Sequence, residues 1–419
     1  MKRTEAQFFS LLRSGLWGSD VDAGLFCREV DWKEIFTLAR DQTVIGLVAD
    51  GLENLMAQAQ RANVQAEAVP PQGQPQVLPG QSAGVQSSLQ PQALPGQSAR
   101  PEAAGPAISL PLQRMLLRLA DRVIRTEQAN RKQNIACAEL TEMLRQGGSD
   151  AVVVKGQGVA QAYINPLRRQ CGDIDLLLTR ENYEKAKPIL DPTGKHAASE
   201  SRSKLHYECD YKGITVELHG TLDGGLNAAL DRRLDQWRDE MLSGGVRIWD
   251  TPAGPVQLPP HNFDAIYIFV HFYHHFLLGG QGLRQICDWA RYLYTYREDI
   301  DFDRLRSDVL SLGLERGWKV FASMIVDVLG CPSEVVPLYD SAWMSKAKWA
   351  LKSVFITGNF GHKQEAARGK ESFLMRKIHS FFLQAGQMLR TFVLCPGDTM
   401  VYFVHYCVSG VKRVFKGKM

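Results

Sequence analysis

Three acidic residues stand where their spacing could do chemistry. Asp173 and Asp175 lie two apart in the run Arg169-Gln170-Cys171-Gly172-Asp173-Ile174-Asp175-Leu176-Leu177-Leu178. Glu217 follows in Ile214-Thr215-Val216-Glu217-Leu218-His219. Side chains at i and i+2 of a strand share a face, so the two aspartates point one way while Ile174 and Leu176 enter a core. The second run alternates in the same manner, with Ile214, Val216 and Leu218 on one side and Thr215, Glu217 and His219 on the other. Clustered carboxylates repel one another unless a cation or proton intervenes. A hard cation such as Mg²⁺ prefers oxygen ligands and binds through a few carboxylates plus substrate phosphates. The pattern therefore reads as a divalent-metal site for moving a nucleotidyl or phosphoryl group. The plain alternative is a solvated polar face.

Positioning these groups needs strands held by helices. Residues 4–55 carry a helical apolar period, with Asp31 as an N-cap and Glu34 completing a capping-box pattern; Gly15, Gly18 and Gly24 punctuate the stretch before it. Residues 112–147 form a long helix ended by Gly147-Gly148. Ala151–Val154 reads as a buried strand, Gly156-Gln157-Gly158 as a turn, and Val159–Ile164 as a short helix. Asp173–Thr179 is a second strand and Glu181–Leu190 a helix. Tyr207–Tyr211 and Ile214–His219 form a hairpin across Lys212-Gly213. The order β-α-β-α-β-β predicts a small mixed sheet covered by helices. Residues 226–390 read as mostly helical, with an extended piece near Val246–Trp249 and a Pro-rich break over Thr251–Pro260.

Between the first two helical stretches, residues 57–111 are rich in Gln, Pro, Ala, Gly and Ser, and Leu-Pro-Gly-Gln-Ser-Ala occurs twice. Such a segment cannot bury enough apolar surface to offset its ordering entropy, which predicts a disordered insertion. The expected organisation is a helical segment over 1–55, the insertion over 56–111, and a long helix over 112–150. A catalytic sheet unit follows over 151–225, then a helical domain over 226–400 and a basic, aromatic tail over 401–419.

The net charge of +4 over 419 residues points to no specific nucleic-acid partner. Eight cysteines are scattered without a CxxC pair, the pattern of free thiols in a reducing compartment. The N-terminus shows no signal-peptide pattern and no run reaches the length of a membrane span. These features predict a cytoplasmic protein. The tail residues Lys412, Arg413, Lys416 and Lys418 and the aromatic, basic stretch before them read either as a weak contact with an anionic membrane surface or as a docked helix with a solvated end.

Lys155-Gly156, Ala160, Tyr163, Pro166, Arg169, Gly172-Asp173-Ile174-Asp175-Leu176-Leu177 and Glu217-Leu218-His219 together resemble the uncharacterised bacterial nucleotidyltransferase family of the polymerase-β nucleotidyltransferase superfamily. Asp31-Trp32 through Gly46-Leu47 and Leu283 through Ala290 are similar to that family's N- and C-terminal helical segments. The resemblance implies an α+β fold with a small mixed palm-like sheet flanked by N- and C-terminal helical bundles. It implies transfer of a nucleoside monophosphate from an NTP, such as ATP, to a hydroxyl acceptor, with release of pyrophosphate. Asp173, Asp175 and Glu217 would hold two Mg²⁺ or Mn²⁺ ions. Nucleotide-binding roles fall to Lys155, Gly156, Arg169, Gly172, His219, Arg284 and Asp288.

The superfamily's usual Gly-Ser phosphate grip is replaced here by Lys155-Gly156, where a lysine at a helix N-terminus can hold phosphate by charge. Arg169 is either a phosphate ligand or a surface salt bridge. His219 either contacts substrate or orients Glu217. Arg284 and Asp288, four apart on one helix face, reach the cleft or pair with each other. His271, His274 and His275 could hold zinc, line a pocket or pack among aromatics; no protease-type Glu follows the first of them. Two other functions remain: a catalytically silent nucleotide-binding or regulatory protein of the same fold, and an enzyme that nucleotidylates proteins.

Overall fold

The computed structural model describes residues 2–67, 110–194, 197–201, 205–222, 228–243, 245–358, 385–397, 399–401 and 403–404. Most of the expected insertion and of the basic tail lies outside the described residues. The chain opens with helices α1 (Arg3–Trp17), α2 (Trp32–Asp41) and α3 (Ile45–Glu67). Asp31 caps α2, its carboxylate accepting from the Glu34 N–H at 2.9 Å. Gly15 lies inside α1 and not in a gap. The third helix runs past the boundary expected at residue 55. Residues 57–67 are Ala- and Gln-rich with no Gly or Pro, so low complexity there is compatible with helix propensity.

Helix α4 (Leu110–Gln146) leads into β1 (Val152–Val154), α5 (Gly156–Ala160), β2 (Asp173–Leu177), α6 (Arg180–Leu190), β3 (Ala197–Ser201), β4 (His206–Tyr211) and β5 (Ile214–His219). The sheet order is β1-β2-β5-β4-β3. Only β2 and β5 pair in parallel; the other neighbours are antiparallel. The sheet is thus mixed, as expected, with one more strand than the sequence suggested. Gly156-Gln157-Gly158 is not a turn but the start of α5, which ends at Ala160. Lys212 and Gly213 both have positive φ, 55° and 76°, the requirement of a two-residue primed hairpin turn.

Beyond the sheet come α7 (Ala228–Leu242), β6 (Arg247–Thr251), β7 (Gly254–Leu258), α8 (His261–Leu278), α9 (Leu283–Thr295), α10 (Phe302–Ser311), α11 (Glu315–Ser323) and α12 (Met344–Thr357). The Pro-rich break at 251–260 contains a strand: β6 and β7 form their own hairpin.

Two cores flank the sheet. Ile174, Leu176, Val216 and Leu218 point to one side and pack with residues of α4, α6 and the β6–β7 hairpin. Val152, Val154 and Leu177 point to the other, into a much larger helical core. That core joins both ends of the chain. Phe8 of α1 meets Phe355 of α12 edge-on at 6.3 Å, and the Trp17 indole donates to the Leu329 carbonyl at 2.6 Å. Phe269, Trp289 and Trp318 form its aromatic centre, with ring separations of 4.6 to 5.3 Å. The N- and C-terminal helical segments bury apolar residues against each other in this core. Residues 385–394 are helical and dock on it, with the Gln387 amide donating to Phe276 O at 2.8 Å. Among the described residues no helix is long and apolar enough to cross a membrane.

Candidate functional site

The parallel pairing of β2 with β5 sets the acids in register. Asp175 is the cross-strand partner of Glu217, and Asp173 of Thr215. Alternation then turns Asp173, Asp175 and Glu217 to the face covered by the large helical core. All three border one cavity of about 220 Å³, whose far wall comes from α8 and α9. Lys155, Gly156, Arg169, Gly172, Arg284 and Asp288 border the same cavity. His219, on the same face, touches Asp175 and Glu217 without bordering the cavity.

The acids are compensated in different ways. Asp175 is 4% exposed. Its Oδ1 accepts from Lys155 Nζ at 2.7 Å and lies 2.8 Å from His219 Nε2. Burial alone would push its carboxyl up, but Lys155 and His219 together bring it below the ordinary range. Glu217 is also held down, by hydrogen bonds from His206 at 3.2 Å and from His219 at 3.4 Å. Asp173 goes the opposite way: the neighbouring Asp175 charge, then burial, raises it. Lys155 loses hydration by burial, yet Asp175 more than restores its charge and its pKa is raised. His219 behaves alike, burial opposing and the Asp175 and Glu217 bonds prevailing, so its pKa is raised.

Lys155 was expected to face phosphate from a helix N-terminus. The structure turns its ammonium onto Asp175, and α5 behind it is only one turn long. The residue has φ 56°, and Gly156 φ 29°; this left-handed kink after β1 directs the lysine across the sheet face. A side chain at Gly156 would put its Cβ 3.3 Å from the Asp173 carbonyl, so the close approach of α5 to β2 favours glycine.

Arg169 is not a surface salt bridge. It is 7% exposed, and its Nε and Nη2 donate to both oxygens of Asp288 at 2.7 Å. Asp288 also accepts from the Tyr163 hydroxyl at 2.6 Å. The expected Arg284–Asp288 pair is replaced by this geometry. Arg284 Nη1 instead donates to Gln170 O at 2.7 Å, while its buried Nε has no partner. Sequence reasoning missed the buried amides that hold the loop before β2. Asn130 donates to Leu167 O and Arg169 O, both at 2.7 Å. Gln133 donates to Gly172 O at 3.0 Å, and Gln157 donates to both amide oxygens of that pair. The sequence signal of Asn130 and Gln133 is polar residues on the apolar side of α4; Gln157 of α5 has none.

His271 and His275 line the cavity, their rings 4.6 Å apart. Burial pushes both imidazoles down, His275 to about 4. With His274 they form no metal trio among the described residues. The trio whose ligand atoms do converge within 4.8 Å is His206, Glu217 and His219. His206 was not expected at the site. Counting back through the hairpin from Lys212-Gly213 places it opposite His219, so the signal was present.

A mixed sheet presenting acids to a cation-lined cavity is the equipment of group transfer to or from phosphates. The model of the uncharacterised nucleotidyltransferase family matches residues 102–330, more than half of the chain, and the chain belongs to that family. No curated protein and no solved structure matches it.

Proposed function

We propose that the protein is a metal-dependent nucleotidyltransferase with a palm of the polymerase-β type. It would move a nucleoside monophosphate from an NTP to the hydroxyl of an acceptor and release pyrophosphate. The observation that carries this reading is the register pairing Asp175 with Glu217 on the face that also bears Asp173, all bordering one cavity. The donor set fits hard cations. It offers carboxylate oxygens from rigid neighbouring strands, and Asp173 is an acid whose charge is opposed by its neighbour. Asp173, Asp175 and Glu217 would hold Mg²⁺ or Mn²⁺, two ions in the full site. Bound there, the cations would neutralise triphosphate charge and favour ionisation of the acceptor hydroxyl.

The protein's own groups do the remaining work. Asp173 and Asp175 face the phosphates, and Glu217 the nucleophile side. Lys155 supplies positive charge at the cavity wall, where a water-poor setting strengthens it. Arg169 is a positioning residue: locked to Asp288, it fixes the loop that delivers Asp173. Arg284, held by Gln170 O through Nη1, borders the cavity and would meet a phosphate oxygen there. The free thiols of Cys27, Cys137, Cys171, Cys209, Cys287 and Cys331, among the described residues, support a reducing compartment such as the cytoplasm.

Incubation with Mg²⁺ or Mn²⁺ and each labelled NTP should release pyrophosphate. The double variant Asp173→Asn/Asp175→Asn should lose at least about 100-fold of that rate, given what removal of electrostatic groups costs in such sites. Equal release by the variant would remove the catalytic assignment. Label appearing in protein bands would identify side chains as the acceptor.

A further inference from the structure

His206 has no task in the mechanism above, although it sits on the face of the acids. The β4–β5 register sets it directly opposite His219. Glu217, two residues before His219, shares that side. Both imidazole Nε2 atoms converge on one oxygen of Glu217, at 3.2 Å from His206 and 3.4 Å from His219. The rings are 5.0 Å apart and tilted by 59°, so they do not stack on each other; His206 aims at Glu217, and His219 Nε2 stands between Glu217 and Asp175, whose Oδ1 is 2.8 Å away. The three side chains are 14% to 28% exposed. They are sheltered enough to be ordered and open enough for an ion to enter.

The distances bear on what the three side chains could hold. An ion bound tetrahedrally at 2.0 to 2.1 Å needs neighbouring ligand atoms about 3.3 Å apart. The two observed edges fall on either side of that value. Two imidazoles and a carboxylate form a donor set that suits borderline transition metals rather than Mg²⁺, which selects oxygen. The donors come from two adjacent strands joined by a two-residue turn, a stiffer support than a loop. The rival explanation is a pair of ordinary histidine–carboxylate hydrogen bonds.

We propose that His206, Glu217 and His219 form a binding site for a divalent transition metal of the Zn²⁺ class, separate in donor chemistry from the aspartate pair. Three protein ligands leave a coordination position for water or another ligand. The site shares Glu217 with the proposed transfer centre, but binding of the ion does not depend on the transfer reaction. A metal there ties β4 to β5 and sets a second positive charge beside Asp175, next to that of Lys155.

The test uses the full chain stripped with a chelator and titrated with Co²⁺, in excess Mg²⁺ and without nucleotide. One equivalent should bind, giving the visible absorption of a low-coordinate nitrogen/oxygen site. Zn²⁺ should displace it and more Mg²⁺ should not. His206→Gln, folded by circular dichroism, should weaken Co²⁺ binding at least about 100-fold, the upper range for losing even a supporting residue of a metal site. Asp173→Asn should leave it unchanged. Absence of a saturable one-equivalent band in the wild type overturns the site, whatever the variants do. So does wild-type affinity in folded His206→Gln, or loss of binding in Asp173→Asn. Should His206→Gln fail to fold, His206→Asn and the wild-type titration decide. Co²⁺ binding that persists where no NTP is turned over would sink the transfer reading and leave the metal site standing.

Discussion

Asp175 is the residue on which most of the site's charge depends. It is buried, and it answers both Lys155 and His219. Breaking a buried pair from one side leaves the other charge without compensation, which is worse than never having the pair. Asp175→Asn should therefore cost about 3 kcal/mol of stability in addition to its effect on activity. Lys155→Met should cost less, because His219 remains as a partner for the carboxylate. Urea denaturation of the two variants checks the order; a larger loss in Lys155→Met would mean that the lysine, not the aspartate, organises the face. The acids themselves were readable from alternation alone. The partners of Arg169 and Asp288 were not, because their pairing spans 119 positions along the chain and nothing local encodes it.

Elements carry the next level of constraint. Helices α1 and α3 cross at contact distance through Gly15 and Gly51. A Cβ at Gly15 would sit 1.9 Å from the Leu47 carbonyl oxygen, and one at Gly51 2.0 Å from that of Leu11. Either Gly→Ala change gains helix propensity but forces the helices apart, and overpacking of this kind costs about 1 to 3 kcal/mol. Thermal unfolding should show both variants less stable than the parent; a gain would mean the crossing is loose. Helix α2 and the three inner strands were legible because each sets apolar against polar residues at the period of its element. β3 was not, since its residues are nearly all exposed and offer no alternation to read. β7 was hidden by Pro255, which usually argues against a strand; here it lies in a two-stranded hairpin, where the missing N–H is tolerated.

At the scale of the molecule, burial of ionisable groups sets how stability responds to acid. Asp264 is raised to about 6 by burial, which Arg247 and Tyr292 only partly offset. Its unfolded value is 3.8, so between about 4 and 6 the native state binds the extra proton. Stability from this group therefore falls as pH rises through that window and is recovered on acidification. His275, lowered to about 4 by burial, acts oppositely: unfolded chains take up its proton first, and stability is lost as pH falls from 6.5. The two slopes oppose each other in the wild type. Asp264→Asn removes one, so its stability deficit relative to wild type should grow by about 2 kcal/mol from pH 6.5 to pH 4, most of what a two-unit shift is worth. A deficit independent of pH would show that Asp264 titrates normally.

The bond from the Trp17 indole to Leu329 spans 312 positions. At roughly 5 to 20 residues per second of synthesis, the first helix leaves the ribosome roughly a quarter-minute to a minute before the segment that will shelter it. During that interval Phe8, Phe9, Leu11 and Leu12, all at most 2% exposed at the end, have α2 and α3 beside them but not yet α12. The nascent chain thus carries a half-covered apolar helix for most of its translation, and a holding chaperone that grips it would find its binding site erased only when the later helices arrive.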